Sequence, residues 1–179
     1  HWSIKYSLPI QLCDAALVFS AIMLLSKNRF LYEVTYFWGL AGSMQALITP
    51  GLVSYDFPHY VYINFFVMHS CVITAVLYMT LIEGYCPSFK SVWKVFAFTN
   101  VYAVFVAVAN HITGGNYLFL KSKPFNFSIM EYMGEWPWYI LGLEAVAITS
   151  FLLCYFPFWV KNYMVTKQRE SHVDRKYSV

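Results

Sequence analysis

The chain has 179 residues, enough for one compact domain and too few for two. Apolar residues make up 59% of it and charged residues only 12%, against roughly 25% in an ordinary soluble domain, and mean hydropathy is +0.52. A chain with so few charges and a net charge of only +3 cannot cover a soluble surface; this excludes a cytosolic enzyme, a nucleic-acid binder and a disordered segment, and indicates an integral membrane protein.

A bilayer crossing needs about 20 mostly apolar residues. Five runs qualify, at residues 8–25, 31–49, 60–82, 92–111 and 137–160, and runs of this length satisfy their backbones in lipid as helices. Lys27-Asn28-Arg29, Pro50-Gly51 with Pro58, and Cys86-Pro87-Ser88 punctuate them. The expected fold is all-α, a polytopic transmembrane bundle forming one domain over residues 1–162, with 163–179 as a polar cytoplasmic tail that frays into solvent. No initiator Met and no charged leader precede the first run, so a sixth span ahead of His1 is expected in the intact fold.

Counted on alternate sides of the five runs, Lys and Arg divide nine against three, which places the carboxyl tail in the cytoplasm and residue 1 outside. The longest connection, 112–136, then lies on the outer side. Within it Ser128-Ile129-Met130-Glu131 matches a capping box, predicting a short helix from Ser128 to Gly134 that rests on the membrane through Phe125, Phe127, Met130 and Tyr132. Trp136-Pro137-Trp138-Tyr139 reads as an interfacial aromatic belt with Pro at the first turn of the last span.

Polar groups at membrane depth are costly and are functional candidates by default. They are Cys13 and Asp14 in the first span, Gln45 in the second, Asn64 and His69 in the third, Asn100, Asn110 and His111 in the fourth, and Glu144 in the fifth. At 1.5 Å per residue, Cys13, Gln45, Asn64 and Glu144 fall roughly 6–11 Å below the outer end of their spans and His69 roughly 14 Å. Five spans thus point to one outward-opening polar pocket covered by the 112–136 loop. Structural roles stand beside this: Gln45, Asn64 and Asn100 as interhelical glue, His111 as an interfacial residue, His69 as a satisfied buried imidazole, and Cys13 as a small buried hydrophobe. Asp14 or Glu144 is either a protonated structural carboxyl or the partner of a histidine. The four cysteines show neither a C-x-x-C pair nor regular spacing, so no disulfide framework and no metal site is indicated.

These residue types allow nucleophilic acyl transfer, in which a thiolate attacks an ester carbonyl and a histidine carries the proton. His69-Ser70-Cys71 does not supply the pair, because residues two apart on a helix point to different sides, so Cys13 on a neighbouring helix is the better partner. No cofactor is required for this chemistry.

Several strings occur together: Leu8-Pro9-Ile10-Gln11-Leu12-Cys13-Asp14 at the start of a span, His69 in the third run, Gly115-Asn116-Tyr117-Leu118-Phe119-Leu120 before Lys123-Pro124, and Gly134-Glu135-Trp136-Pro137-Trp138-Tyr139. Their order, over residues 7–143, resembles the bacterial YwaF-like integral membrane family, whose members have six or more helices. A eukaryotic branch of that family is linked to acyl transfer onto ether phospholipids, with a membrane cysteine and histidine as proposed catalytic pair; Cys13 and His69 resemble them. That branch is distantly related to threonine- and histidine-dependent membrane hydrolases of fatty-acid esters. Gln11 stands where many bacterial members have histidine, and the usual first span is absent. The resemblance implies a protein of the bacterial cell membrane that acts on membrane lipid or a small-molecule substrate: a phospholipid acyltransferase or ester hydrolase with Cys13 as nucleophile and His69 as base. Asn116, Tyr117 and Gln45 are candidates to orient the ester, and Asp14 or Glu144 to orient a histidine. The alternative is a substrate-capturing or transport protein without catalysis, which needs only a closed pocket.

Overall fold

A computed structural model of the chain describes residues 2–50, 52, 55–124 and 129–177, of which 129 and 169–177 are described by their backbone alone. The described residues are all-helical, with no strand. Helix α1 spans Leu12–Ser26; α2 (Arg29–Phe37), a π-helical turn (Trp38–Ser43) and α3 (Met44–Ile48) run on as one rod; α4 is Tyr60–Leu81, α5 is Phe89–Thr113 and α6 is Trp138–Tyr177. Short 3-10 turns occupy Tyr117–Phe119 and Ile129–Met133. Helices α4, α5 and the Trp138–Gln168 part of α6 are each long and apolar enough to cross a membrane.

The boundaries follow from local chemistry. Helix α1 begins at Leu12, four residues later than the apolar run, because Pro9 lacks an N–H and disfavours helix at Leu8, and Gln11 is extended (ψ 153°). Asn28 caps α2 by accepting from the Leu31 N–H (3.1 Å), and Ser88 with Ser91 forms a capping box at the start of α5. Gly114, at φ +70°, ends α5 in the left-handed conformation that glycine adopts without strain. The tail expected to fray instead continues α6 to Tyr177. From Lys161 onward it holds many strong helix formers and neither Pro nor Gly, so nothing stops it. In the outer loop, the expected short helix appears as the 3-10 turn Ile129–Met133 followed by Gly134 at φ +82°. Ser128, Phe125 and Phe127 lie outside the described residues. Met130 is buried rather than laid on the surface, whereas Tyr132 is exposed.

Helix α1 packs against both α2 and α4, and α5 packs against α6. Between membrane helices, close packing rather than exclusion of water drives association. Trp38 shows how: its ring, 1% exposed, stacks 5.7 Å from both Phe19 and Phe98, and its Nε1–H donates to Thr99 Oγ1 at 2.8 Å. The next residue, Gly39, sits so close to α4 that an added Cβ would lie 3.0 Å from a Val72 methyl.

The helix ends separate into two polar faces. At one, Lys27 pairs with Glu83, the Tyr85 hydroxyl donates to the Lys27 carbonyl (2.7 Å), and Arg29 donates to the Cys86 carbonyl (3.2 Å). Just inside it Glu33, 3% exposed, pairs with Lys94 and Arg29 and accepts from Ser91. This carboxylate sits where the sequence promises only apolar packing. At the other face lie the amino-terminal segment, the start of α4 and the 114–124 loop, and here the cavity described next is built.

Candidate functional site

Helix α1 starts at this second face, so Cys13 and Asp14 occupy the second and third positions of its first turn, half-buried. On α4, His69 is the buried polar residue, 6% exposed. Its Nδ1 lies 2.7 Å from the Phe65 carbonyl, one turn back, and the Phe65 ring packs against the imidazole with centroids 4.2 Å apart. A carbonyl only accepts, so Nδ1 carries the hydrogen and the neutral ring's lone pair is on Nε2. Nε2 is buried and has no hydrogen-bond partner. Buried polar atoms are rarely left so, and each exception needs a reason.

Cys13, Asp14 and His69 line one cavity of about 530 Å³. The remaining wall is largely apolar, from Leu12, Ala46, Val61, Phe65, Met68, Leu118 and Phe119, with Gln11, Thr49 and Asn64 as further polar groups. Among the described residues no hydrogen bond joins the Cys13 thiol to His69 Nε2, which has no partner there. A volume of this size suits a chain or small molecule with a few polar contacts.

The roof comes from the 114–124 loop, as expected, but through different residues. Asn110, fully buried in α5, clamps the loop by donating to the Tyr117 carbonyl (2.8 Å) and accepting from the Tyr117 N–H (2.7 Å). The Tyr117 hydroxyl accepts from Leu8 N–H and donates to the Ile4 carbonyl, each at 2.9 Å. Tyr117 therefore fastens the loop to the amino-terminal segment and does not line the cavity. Asn116 likewise turns away, accepting from the Lys121 and Ser122 N–H groups and donating to Ser122. The residues that reach the cavity are Leu118 and Phe119, both left-handed at φ 57° and 53°. Two successive non-glycine residues in this region store strain, which persists only where neighbours over-determine it. Gln11 Oε1 accepting the Leu118 N–H (3.0 Å) and the Tyr139 hydroxyl donating to the Phe119 carbonyl (2.6 Å) are those neighbours.

One pocket shared by five spans is not what forms. Gln45 is exposed and donates to Thr49 Oγ1 within its own helix (2.9 Å), leaving Ala46 and Thr49 to face the cavity. Glu144 lies in a separate groove of about 520 Å³ between α5 and α6, where it accepts from Asn100 Nδ2 at 3.0 Å. His111 is exposed beside a third, smaller cavity with Lys121 and Trp136. Among the residues missed as cavity wall are Gln11 and Leu118, whose signal is tertiary: they meet only because the loop folds back over α1.

Neither a search of curated proteins nor one of solved structures gives a match to the chain. The model of the TMEM164 family does match, over residues 1–155, a stretch that contains every wall of the His69 cavity and the apolar start of α6. The chain is a membrane protein and belongs to the TMEM164 family.

Proposed function

We propose that the protein handles acyl groups of membrane lipids, forming a thioester at Cys13 with His69 as general base. The carrying observation is that Cys13 shares its cavity with a buried imidazole whose Nε2 lone pair is unclaimed. The thiolate, not the thiol, is the nucleophile. Nε2 takes the Cys13 proton as sulfur bonds to the ester carbonyl carbon, and returns it to the alcohol oxygen when the C–O bond breaks. The Phe65 carbonyl holds the ring in the tautomer this requires, and Asp14 is the acidic group of the same cavity. An acceptor hydroxyl or water then attacks the thioester and regenerates the thiol. The apolar wall suits an acyl chain, and the resemblance to the YwaF-like family, whose eukaryotic branch is linked to acyl transfer onto ether phospholipids, supports the same chemistry. The distribution of Lys and Arg supports a carboxyl end in the cytoplasm and a cavity at the opposite face.

Solute binding or transport without catalysis is the alternative, and one observation favours it: thiol and imidazole are not hydrogen-bonded. Catalytic hydrogen bonds are often long in empty sites and tighten when substrate binds. The test is covalent. Phosphatidylcholine carrying an alkynyl acyl chain, incubated with the full chain in bilayer nanodiscs, is expected to leave a hydroxylamine-sensitive label that Cys13→Ala abolishes, that Cys71→Ala, Cys86→Ala and Cys154→Ala retain, and that His69→Ala slows at least tenfold. Absence of any label on wild type, with the lipid still bound, leaves the binder.

A further inference from the structure

We propose that Gln11 is a catalytic residue of this cavity: its side-chain amide receives the carbonyl oxygen of the acyl donor and stabilises the oxyanion formed when Cys13 attacks. The assignment rests on the acyl-transfer reading and adds to it the group that takes the developing charge. Gln11 precedes the first turn of α1 and lines the cavity with Cys13 and His69. Its Oε1 accepts the Leu118 N–H at 3.0 Å. A backbone N–H can meet only the oxygen end of an amide, so the chemistry of the contact fixes which way the amide points. Its Nε2, with two N–H donors, is turned the other way. Among the described residues Nε2 makes no hydrogen bond, and it is not one of the polar atoms sealed from water, so it stands open.

Two further features converge on this geometry. The Gln11 side chain does not cap α1, so the Leu12 N–H of its first turn lacks an intrahelical partner beside the cavity. His69 Nε2, buried and unpartnered, supplies the proton acceptor in the same cavity. Sulfur, base and donors are thus provided by separate groups that do not consume one another. As sulfur bonds to the carbonyl carbon, the C=O π pair moves onto oxygen, where Gln11 Nε2–H and an α1 N–H receive it. When that pair returns, the C–O bond breaks and His69 gives its proton to the departing alcohol. A neutral amide fits an apolar site better than Lys or Arg, because it stabilises charge that appears only in the transition state and carries no permanent charge at membrane depth. The left-handed conformation of Leu118 and Phe119 acquires a purpose as well: it belongs to the turn whose Leu118 N–H meets Gln11.

The experiment compares two reactions of one thiol, followed by mass spectrometry of the Cys13 peptide. Acylation by alkynyl phosphatidylcholine passes through an oxyanion; alkylation by iodoacetamide is a displacement and does not. Two variants are used in the full chain in nanodiscs. Gln11→Met removes the amide at similar size, and Gln11→Glu keeps an oxygen for Leu118 N–H while removing the donor. Loss of one oxyanion donor slows acyl transfer about 10²–10³-fold. Both variants are expected to show a drop of that order in acylation, while Gln11→Met alkylation does not fall below about a third of wild type, since no oxyanion forms and loss of the Leu118 contact only loosens the roof. Wild type that acylates Cys13 while Gln11→Met acylates at the wild-type rate overturns this assignment alone. A parallel fall in both reactions for Gln11→Met overturns it in favour of a purely structural Gln11. Wild type that never acylates Cys13 overturns the acyl-transfer reading and this assignment with it.

Discussion

Replacing Asn110 with Ala is expected to unfasten the loop that roofs the cavity. The Asn110 side chain makes two short hydrogen bonds, both to the backbone of Tyr117, and both residues are buried, at 0% and 2% exposure. Truncation strands one N–H and one C=O at roughly 1–3 kcal/mol each. The cavity beside His111 and Lys121 adjoins Asn110 and admits water, which lowers the cost toward about 3 kcal/mol for the pair. At about 2–4 °C per kcal/mol for a chain of this size, the melting temperature should fall by roughly 6–12 °C. Scanning fluorimetry in detergent micelles measures the shift, with the exposed neighbour His111→Ala as control, expected to move by no more than about 0.5 kcal/mol. Because Leu118 and Phe119 follow Tyr117 directly, maleimide should also modify Cys13 several-fold faster in Asn110→Ala. A variant that melts with the control and leaves Cys13 reactivity unchanged would show that the clamp does not hold the roof.

Gly39→Leu is expected to cost about 1–3 kcal/mol, since its first added atom already lies 3.0 Å from Val72, whereas Gly42→Ala, whose Cβ has 3.9 Å of room, should be neutral or slightly stabilising; parallel thermal melts separate the two. Hydrogen bonds from Lys27 and Tyr78 hold the Glu83 carboxyl below its ordinary range, and Glu83 holds Lys27 above its own. The pair's contribution is therefore present at neutral pH, is lost as pH falls through the lowered Glu83 value, and is lost again at high pH as Lys27 deprotonates. The difference in melting temperature between wild type and Glu83→Gln should accordingly be visible at pH 7 and vanish in strong acid; a gap that persists there would contradict the linkage. In a background lacking native cysteines, Asp56→Cys should react with an impermeant maleimide in intact cells and Lys167→Cys only after permeabilisation, and the opposite pattern would invert the orientation.

Much of the fold was legible because membrane helices announce themselves by length and hydropathy, and Lys27-Asn28-Arg29 and Cys86-Pro87-Ser88 mark the two turns at the basic face. Cys13 and His69 were legible as polar groups at membrane depth on different helices, and they do share a cavity. Glu33 was not: it sits one turn inside α2 among aromatic residues, and only tertiary contact brings Lys94 and Ser91 to it. Glu144 was read as an interior carboxyl; it is half-buried, but depth along a helix says nothing of azimuth, and with its partner Asn100 it faces a different groove. Gln45 failed for a local reason. The Met44 N–H bonds to the Gly39 carbonyl five residues back, so the ladder carries a π turn that a 3.6-residue period does not anticipate. Asn116 and Tyr117 were drawn into the site by their motif, whereas their side chains build the loop that presents Leu118 and Phe119.

That π turn makes the second rod a phase shifter. A π turn accommodates one residue more than an α-helical turn, and each residue of an α-helix is worth about 100° of rotation. Deleting Leu40 or Ala41 would remove that extra residue and leave Arg29–Phe37 and Met44–Ile48 in phase, whereas relaxing the turn to α geometry at full length would turn Met44–Ile48 by about a quarter to a third of a revolution. Ala46 and Thr49 would rotate away from His69 and another face of the same five-residue segment would take their place. The chain thus holds a built-in means of exchanging one wall of its cavity by a change of helical pitch, with length and composition kept. Lineages one residue shorter between Trp38 and Ser43 should carry an unbroken α-helix there and keep the same cavity wall beside Cys13 and His69.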